Sequence, residues 1–184
     1  MSLINELGEV DSKVIQFLAS SSDTSFSFQG IKRSLKVHQE KLARSLNRLY
    51  SMGLIEKNGE GYLITRKGMR IIGRDNGQSQ KMMIGQLYLP RELSPESAAS
   101  ILRGRWFGCA RWLGNSNTED GVDLKWVSED GEIQFVASIK GGMLEVSASS
   151  FPPGEEKRAR EVGLMLYEKI IKALHKNRRI YASS

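Results

Sequence analysis

Arg44 and Gln39 carry planar, two-pronged polar groups. Such groups bond bidentately to base edges, arginine to guanine and glutamine to adenine. Around them lie cations suited to phosphate: Lys32, Arg33, Lys36, Lys41, Arg48, Lys57, Arg66 and Lys67. His38 and Ser45 complete this polar set. From Lys32 to Arg74 there are eleven Lys/Arg and only three acids, an excess larger than the net charge of +6 for the whole chain. A polyanionic partner is the chemistry this stretch suits.

Other chemistries find less support. His38 and His175 are too few and too far apart for a metal site. Cys109 has no neighbouring cysteine and reads as a strand residue packed inside. Gly104–Gly108 and Gly141-Gly142 lack the Gly-Lys-Ser/Thr ending of a phosphate loop. Glu119, Asp120, Asp123, Glu129, Asp130 and Glu132 do not have EF-hand spacing, so solvated loops and strand ends are expected. Trp106, Trp112 and Trp126 read as core, with a ligand pocket as the alternative. No catalytic constellation emerges, and neither cofactor nor metal is implied.

These residues need elements to hold them. At 184 residues with 40% hydrophobic and 26% charged, the chain is globular in composition and long enough for two domains. One cysteine forbids an intrachain disulfide, which fits a reducing, cytoplasmic setting. No apolar run is long enough for a membrane span, and the N-terminus lacks a signal-peptide plan.

Apolar spacing predicts a helix over about 11–20, capped by Asp11 or Ser12, then a Ser-rich loop over 20–27. A short helix over 28–35, a tight turn at Lys36-Val37 and a longer helix over about 38–52 follow. Leu42, Leu46 and Leu49 form the buried stripe of that longer helix, which turns Gln39, Lys41, Arg44, Ser45 and Arg48 outward. Residues 54–57 and 62–64 read as a hairpin about Asn58-Gly59-Glu60-Gly61, and Thr65 caps a fourth helix.

Polar residues 73–80 mark the boundary. Beyond it, strands are expected at 83–89, 109–114, 122–127, 133–139 and 143–149. Helices are expected from Ser94 to near Trp106 and over 154–177. The fold class is α+β, with an antiparallel sheet covered by two helices in the second half. The domains run 1–75 and 82–184, joined by a linker over 76–81.

Leu35-Lys36-Val37-His38-Gln39-Glu40-Lys41-Leu42-Ala43-Arg44-Ser45-Leu46-Asn47-Arg48-Leu49, then Met52-Gly53-Leu54-Ile55 and Gly61-Tyr62-Leu63-Ile64-Thr65-Arg66-Lys67-Gly68, carry a resemblance. This stretch resembles the winged helix-turn-helix regulators of the MarR and ArsR type, and archaeal regulators built on the same module. The resemblance covers about residues 9–75 and leaves the C-terminal half unassigned. Two positions depart from it. His38 stands where Ser, Thr or Asp usually caps the recognition helix, and the wing tip carries Glu60 and no arginine.

The resemblance implies a sequence-specific, double-stranded DNA-binding transcription regulator with its recognition helix in the major groove, not an enzyme. A winged helix serving as a protein–protein scaffold in a larger complex is the alternative. The C-terminal domain is expected to serve dimerisation, sensing of a small-molecule effector, or contact with the transcription machinery. A homodimer is expected, with its seam on Leu164, Tyr167 and Ile171 of the last helix or on Leu3, Ile4 and Leu7.

Overall fold

The computed structural model describes residues 7–72 and 81–181, and the side chains of the last helix through Lys176. The chain divides into two compact units, Met1–Gln78 and Ser79–Ser184. The protein is mixed α+β, with six helices and eight strands among the described residues. Residues 76–80 of the expected linker, and Leu3 and Ile4, lie outside those residues; Lys81, its last, is described and pairs with Glu145 at 3.1 Å.

The first unit runs α1 (Glu9–Ala19), β1 (Ser25–Phe26), α2 (Phe28–Leu35), α3 (Gln39–Ser51), β2 (Ile55–Asn58), β3 (Gly61–Ile64) and α4 (Arg66–Ile72). Helix α1 starts earlier than its sequence suggests: Gly8 is its N-cap, and Asp11 is buried inside the helix. Its core stripe is Val14, Ile15 and Leu18. Ser27 caps α2 by accepting the Gly30 amide at 3.1 Å. Lys36 ends α2 in the left-handed region at φ 52°, the conformation that reverses a chain after a helix. Helix α3 then buries Leu42, Leu46 and Leu49 completely, each burial contributing about 1.5–3 kcal/mol.

Strands β2 and β3 form an antiparallel hairpin with Lys57 opposite Tyr62. Asn58 Oδ1 accepts both the Glu60 and Gly61 amides at 2.9 Å, which shapes the turn. Strand β1 adds to β3 through Phe26 and Tyr62. Gly61 is required there, because a Cβ would meet the Phe26 carbonyl oxygen at 2.2 Å. Thr65 caps α4, its hydroxyl accepting the Gly68 amide at 3.1 Å.

The second unit holds β4 (Met82–Tyr88), α5 (Pro95–Leu102), β5 (Ala110–Thr118), β6 (Gly121–Ser128), β7 (Gln134–Lys140), β8 (Met143–Ser150) and α6 (Glu156–Tyr181). Its strands lie in the order β5-β6-β7-β8-β4, each antiparallel to its neighbour. Leu124, Trp126, Phe135, Ala137, Ile139, Leu144, Val146 and Ala148 form one apolar face. Leu102 of α5 and Leu166, Ile170 and Leu174 of α6 pack into the same core. Helix α5 stops at Leu102, well before Trp106, because Arg103 leaves the helical region and Gly104 follows at φ 74°.

Candidate nucleic-acid interface

The face of α3 opposite its leucines is open. Gln39, Glu40, Lys41, Arg44, Asn47 and Arg48 are exposed along it. Arg44 is 80% exposed and lies 3.8 Å from Glu40, one turn earlier on the same helix. An ion pair this exposed contributes a few tenths of a kcal/mol at most, so it yields readily to a better anion. Glu40 also places a carboxylate at the positive end of the helix dipole. His38 is the N-cap residue, but its side chain makes no cap bond. Its imidazole therefore remains an exposed group at the mouth of the helix.

Just before α3, Lys32 Nζ donates to Gln39 Oε1 at 3.4 Å, so the last turn of α2 and the first turn of α3 meet. Arg33 is half-buried, while Lys36 is exposed at the turn. On the hairpin, Lys57 Nζ sits 5.5 Å from the centroid of the Tyr62 ring, a cation–π contact that steadies the ammonium. Arg66, first residue of α4, is exposed. Together with Asp23, Glu56 and Arg70 it lines a cleft of about 640 Å³, so charges of both signs meet there.

One assignment from sequence requires correction, and two other residues carry contacts within the fold. Ser45 is buried at 1% exposure. It follows Leu42 by three residues and precedes Leu49 by four, which places it on the apolar stripe and not on the open face.

Arg48 is exposed but committed. Its guanidinium grips Asp11 through Nε–Oδ2 at 2.6 Å and Nη2–Oδ1 at 2.8 Å. Hydrogen bonding and charge from Asp11 hold Arg48 protonated beyond arginine's usual range. Asp11 is itself 1% exposed, so this pair fastens α3 to α1. Lys67 donates to the Met52 carbonyl at 2.8 Å and so satisfies the C-terminal end of α3. Arg48 and Lys67 tie α3 to its neighbours, while Gln39, Lys41 and Arg44 are exposed on its open face and Lys32, Arg33, Lys36, Lys57 and Arg66 flank it.

In the second unit Glu129, Asp130 and Glu132 of the acidic cluster are paired. Glu129 accepts three bonds from Arg111, at 2.8, 2.9 and 3.0 Å, and one from the Trp106 indole at 2.8 Å. Arg158 pairs with Asp130, Glu132 and Glu155. Among the described residues no group of His, Cys, Asp and Glu is arranged to hold a metal ion. Burial pushes the Cys109 thiol above its usual pKa, with Lys169 opposing, so it is a poor nucleophile at neutral pH.

The tryptophans divide. Trp126 is core, Trp112 is half-buried against it, and Trp106 is 64% exposed. Tyr167 is no free seam residue: its ring covers Gly85, and its hydroxyl donates to the Gln86 carbonyl at 2.8 Å.

No family model, no curated protein and no solved structure matches this chain. No helix among the described residues is long and apolar enough to cross a membrane.

Proposed function

We propose that the first unit is a winged helix-turn-helix module that binds double-stranded DNA through α3, and that the protein is a sequence-specific transcription regulator. The observation that carries this reading is the contrast between the two faces of α3. Leu42, Leu46 and Leu49 are fully buried, while Gln39, Lys41 and Arg44 stand open after the tight turn at Lys36. An α-helix with such a face fits the major groove, where Arg44 suits guanine and Gln39 suits adenine. Lys32, Arg33, Lys36, Lys57 and Arg66 supply the phosphate contacts that set register. The β2–β3 hairpin stands in the place of the wing.

The reading includes a homodimer, because one short helix reads too few base pairs to select a site in a genome. With Tyr167 occupied, Leu164 and Met165 are the large apolar residues that α6 leaves exposed among its described side chains, and they are the candidates for a seam. The second unit would then serve dimerisation or sensing and carry no catalysis.

Fluorescence anisotropy of a labelled mixed-sequence duplex, titrated with the full chain at low salt, tests the reading. Saturable binding is expected. A flat titration would overturn it and favour a protein-binding scaffold instead.

A further inference from the structure

We propose that the loop between α5 and β5 is a stacking platform for an unpaired base, so that the second unit binds single-stranded nucleic acid. This goes beyond duplex recognition by α3 and does not depend on it.

The platform is Trp106. A tryptophan left 64% exposed is unusual in a chain that buries Trp126 completely. A solitary exposed apolar residue needs no explanation by itself; the construction around this one does. The indole Nε1 donates to Glu129 Oε1 at 2.8 Å. The Arg111 guanidinium carbon lies 5.3 Å from the ring centroid and covers one face. Arg111 is in turn locked to the same carboxylate, Nε to Oε1 at 2.9 Å and Nη2 to Oε2 at 2.8 Å. The edge and one face of the ring are therefore held, while the residue as a whole stays 64% exposed.

The backbone beneath is held as firmly. The core indole of Trp126 donates to the Arg105 carbonyl at 2.9 Å, and the Phe107 amide donates to the Ala110 carbonyl at 3.0 Å. Lys169 of α6 donates to the Phe107 carbonyl at 2.6 Å. Gly104 and Gly108 bracket the segment at φ 74° and 83°, which lets it turn twice within five residues. An aromatic ring held this rigidly loses little entropy when a flat partner stacks on it.

Charge decides what the partner is. Residues 97–118 contain three arginines and no acid. Glu129, the carboxylate that reaches the loop, is clamped by Arg111. The exposed Arg105 adjoins the ring in sequence, and the half-buried Lys169 holds the Phe107 carbonyl, so two further cations lie on or against this loop. A stacking face beside cations suits a base and its phosphate, and it is tolerant of sequence because every base has a π-face.

The test is anisotropy of a labelled oligothymidylate of about 12 nucleotides, at low salt, with the full chain and its Trp106→Ala, Trp106→Phe and Arg105→Ala variants. Each variant is also titrated against a labelled duplex. Trp106→Ala should weaken the single strand roughly fivefold to a hundredfold, Trp106→Phe should recover part of that loss, and Arg105→Ala should weaken it further at low salt than at high salt. Duplex affinity should change less than threefold in all three variants. The proposal is overturned if the oligonucleotide does not bind, or if Trp106→Ala binds it as tightly as the unaltered chain; the exposed indole would then be left to a protein partner. Failure on the duplex alone would count against α3 as a DNA reader and leave this platform standing.

Discussion

Raising the salt from about 50 mM to about 200 mM should weaken duplex binding by the full chain roughly 500-fold. The magnitude follows from the cations that flank α3: Lys32, Arg33, Lys36, Lys57 and Arg66, with Arg48 bound to Asp11 and Lys67 to the Met52 carbonyl left out of the count. About five phosphate contacts give a slope of log affinity against log salt of roughly −4.5. Counting Arg48 and Lys67 as phosphate ligands would steepen the slope to roughly −6. Anisotropy at four or five salt concentrations separates the two values. A slope shallower than about −2 would mean that the basic run is merely a solvated surface.

The second large effect concerns the scaffold beneath Trp106. Trp126 is fully buried and packs on Phe107 at 5.6 Å and edge-on to Trp112 at 5.3 Å. Trp126→Ala removes that volume and leaves the Arg105 carbonyl without its indole donor. A loss of about 3–5 kcal/mol is expected for the second unit, seen as a fall of more than about 10 °C in its thermal transition by circular dichroism. Trp106→Phe, on the exposed ring held by Glu129 and Arg111, should leave that transition within a degree or two. Equal effects from the two substitutions would show that the burial assigned to Trp126 is wrong.

Much of this architecture is legible in the sequence because it is written locally. The leucine spacing of α3, the turn residues Asn58-Gly59 and the glycine pair after β7 are each decided within a few residues, and the structure places those elements close to the expected bounds. Strand β1 is not legible in this way. Two residues cannot show a period, and Phe26 becomes a strand residue only through its pairing with Tyr62. The shortened α5 likewise turns on Gly104 adopting a positive φ, a conformation that glycine permits but does not announce.

The site was legible in outline only. Helical spacing finds the open face of α3, yet it says nothing of Asp11, thirty-seven positions before Arg48, which ties that exposed arginine to α1. Lys67 looks like any surface lysine until α4 brings it to the end of α3. Ser45 could have been recognised, since its distances from Leu42 and Leu49 both match the buried stripe. Trp106 could not, because three tryptophans close together in sequence are sorted into core and surface only by the chain reversal at Gly104.

The most direct test of the central claim compares Arg44→Ala with the unaltered chain on two duplexes, one selected from a random pool by the protein itself and one of scrambled sequence. Arg44 is assigned to a base edge, and its contact with Glu40 is loose at 3.8 Å. Losing one bidentate base contact costs about 1–3 kcal/mol, so the variant should bind the selected duplex roughly fivefold to a hundredfold more weakly and the scrambled duplex almost unchanged. If Arg44→Ala weakened both duplexes alike, or neither, α3 would not be reading base sequence and the account would fail.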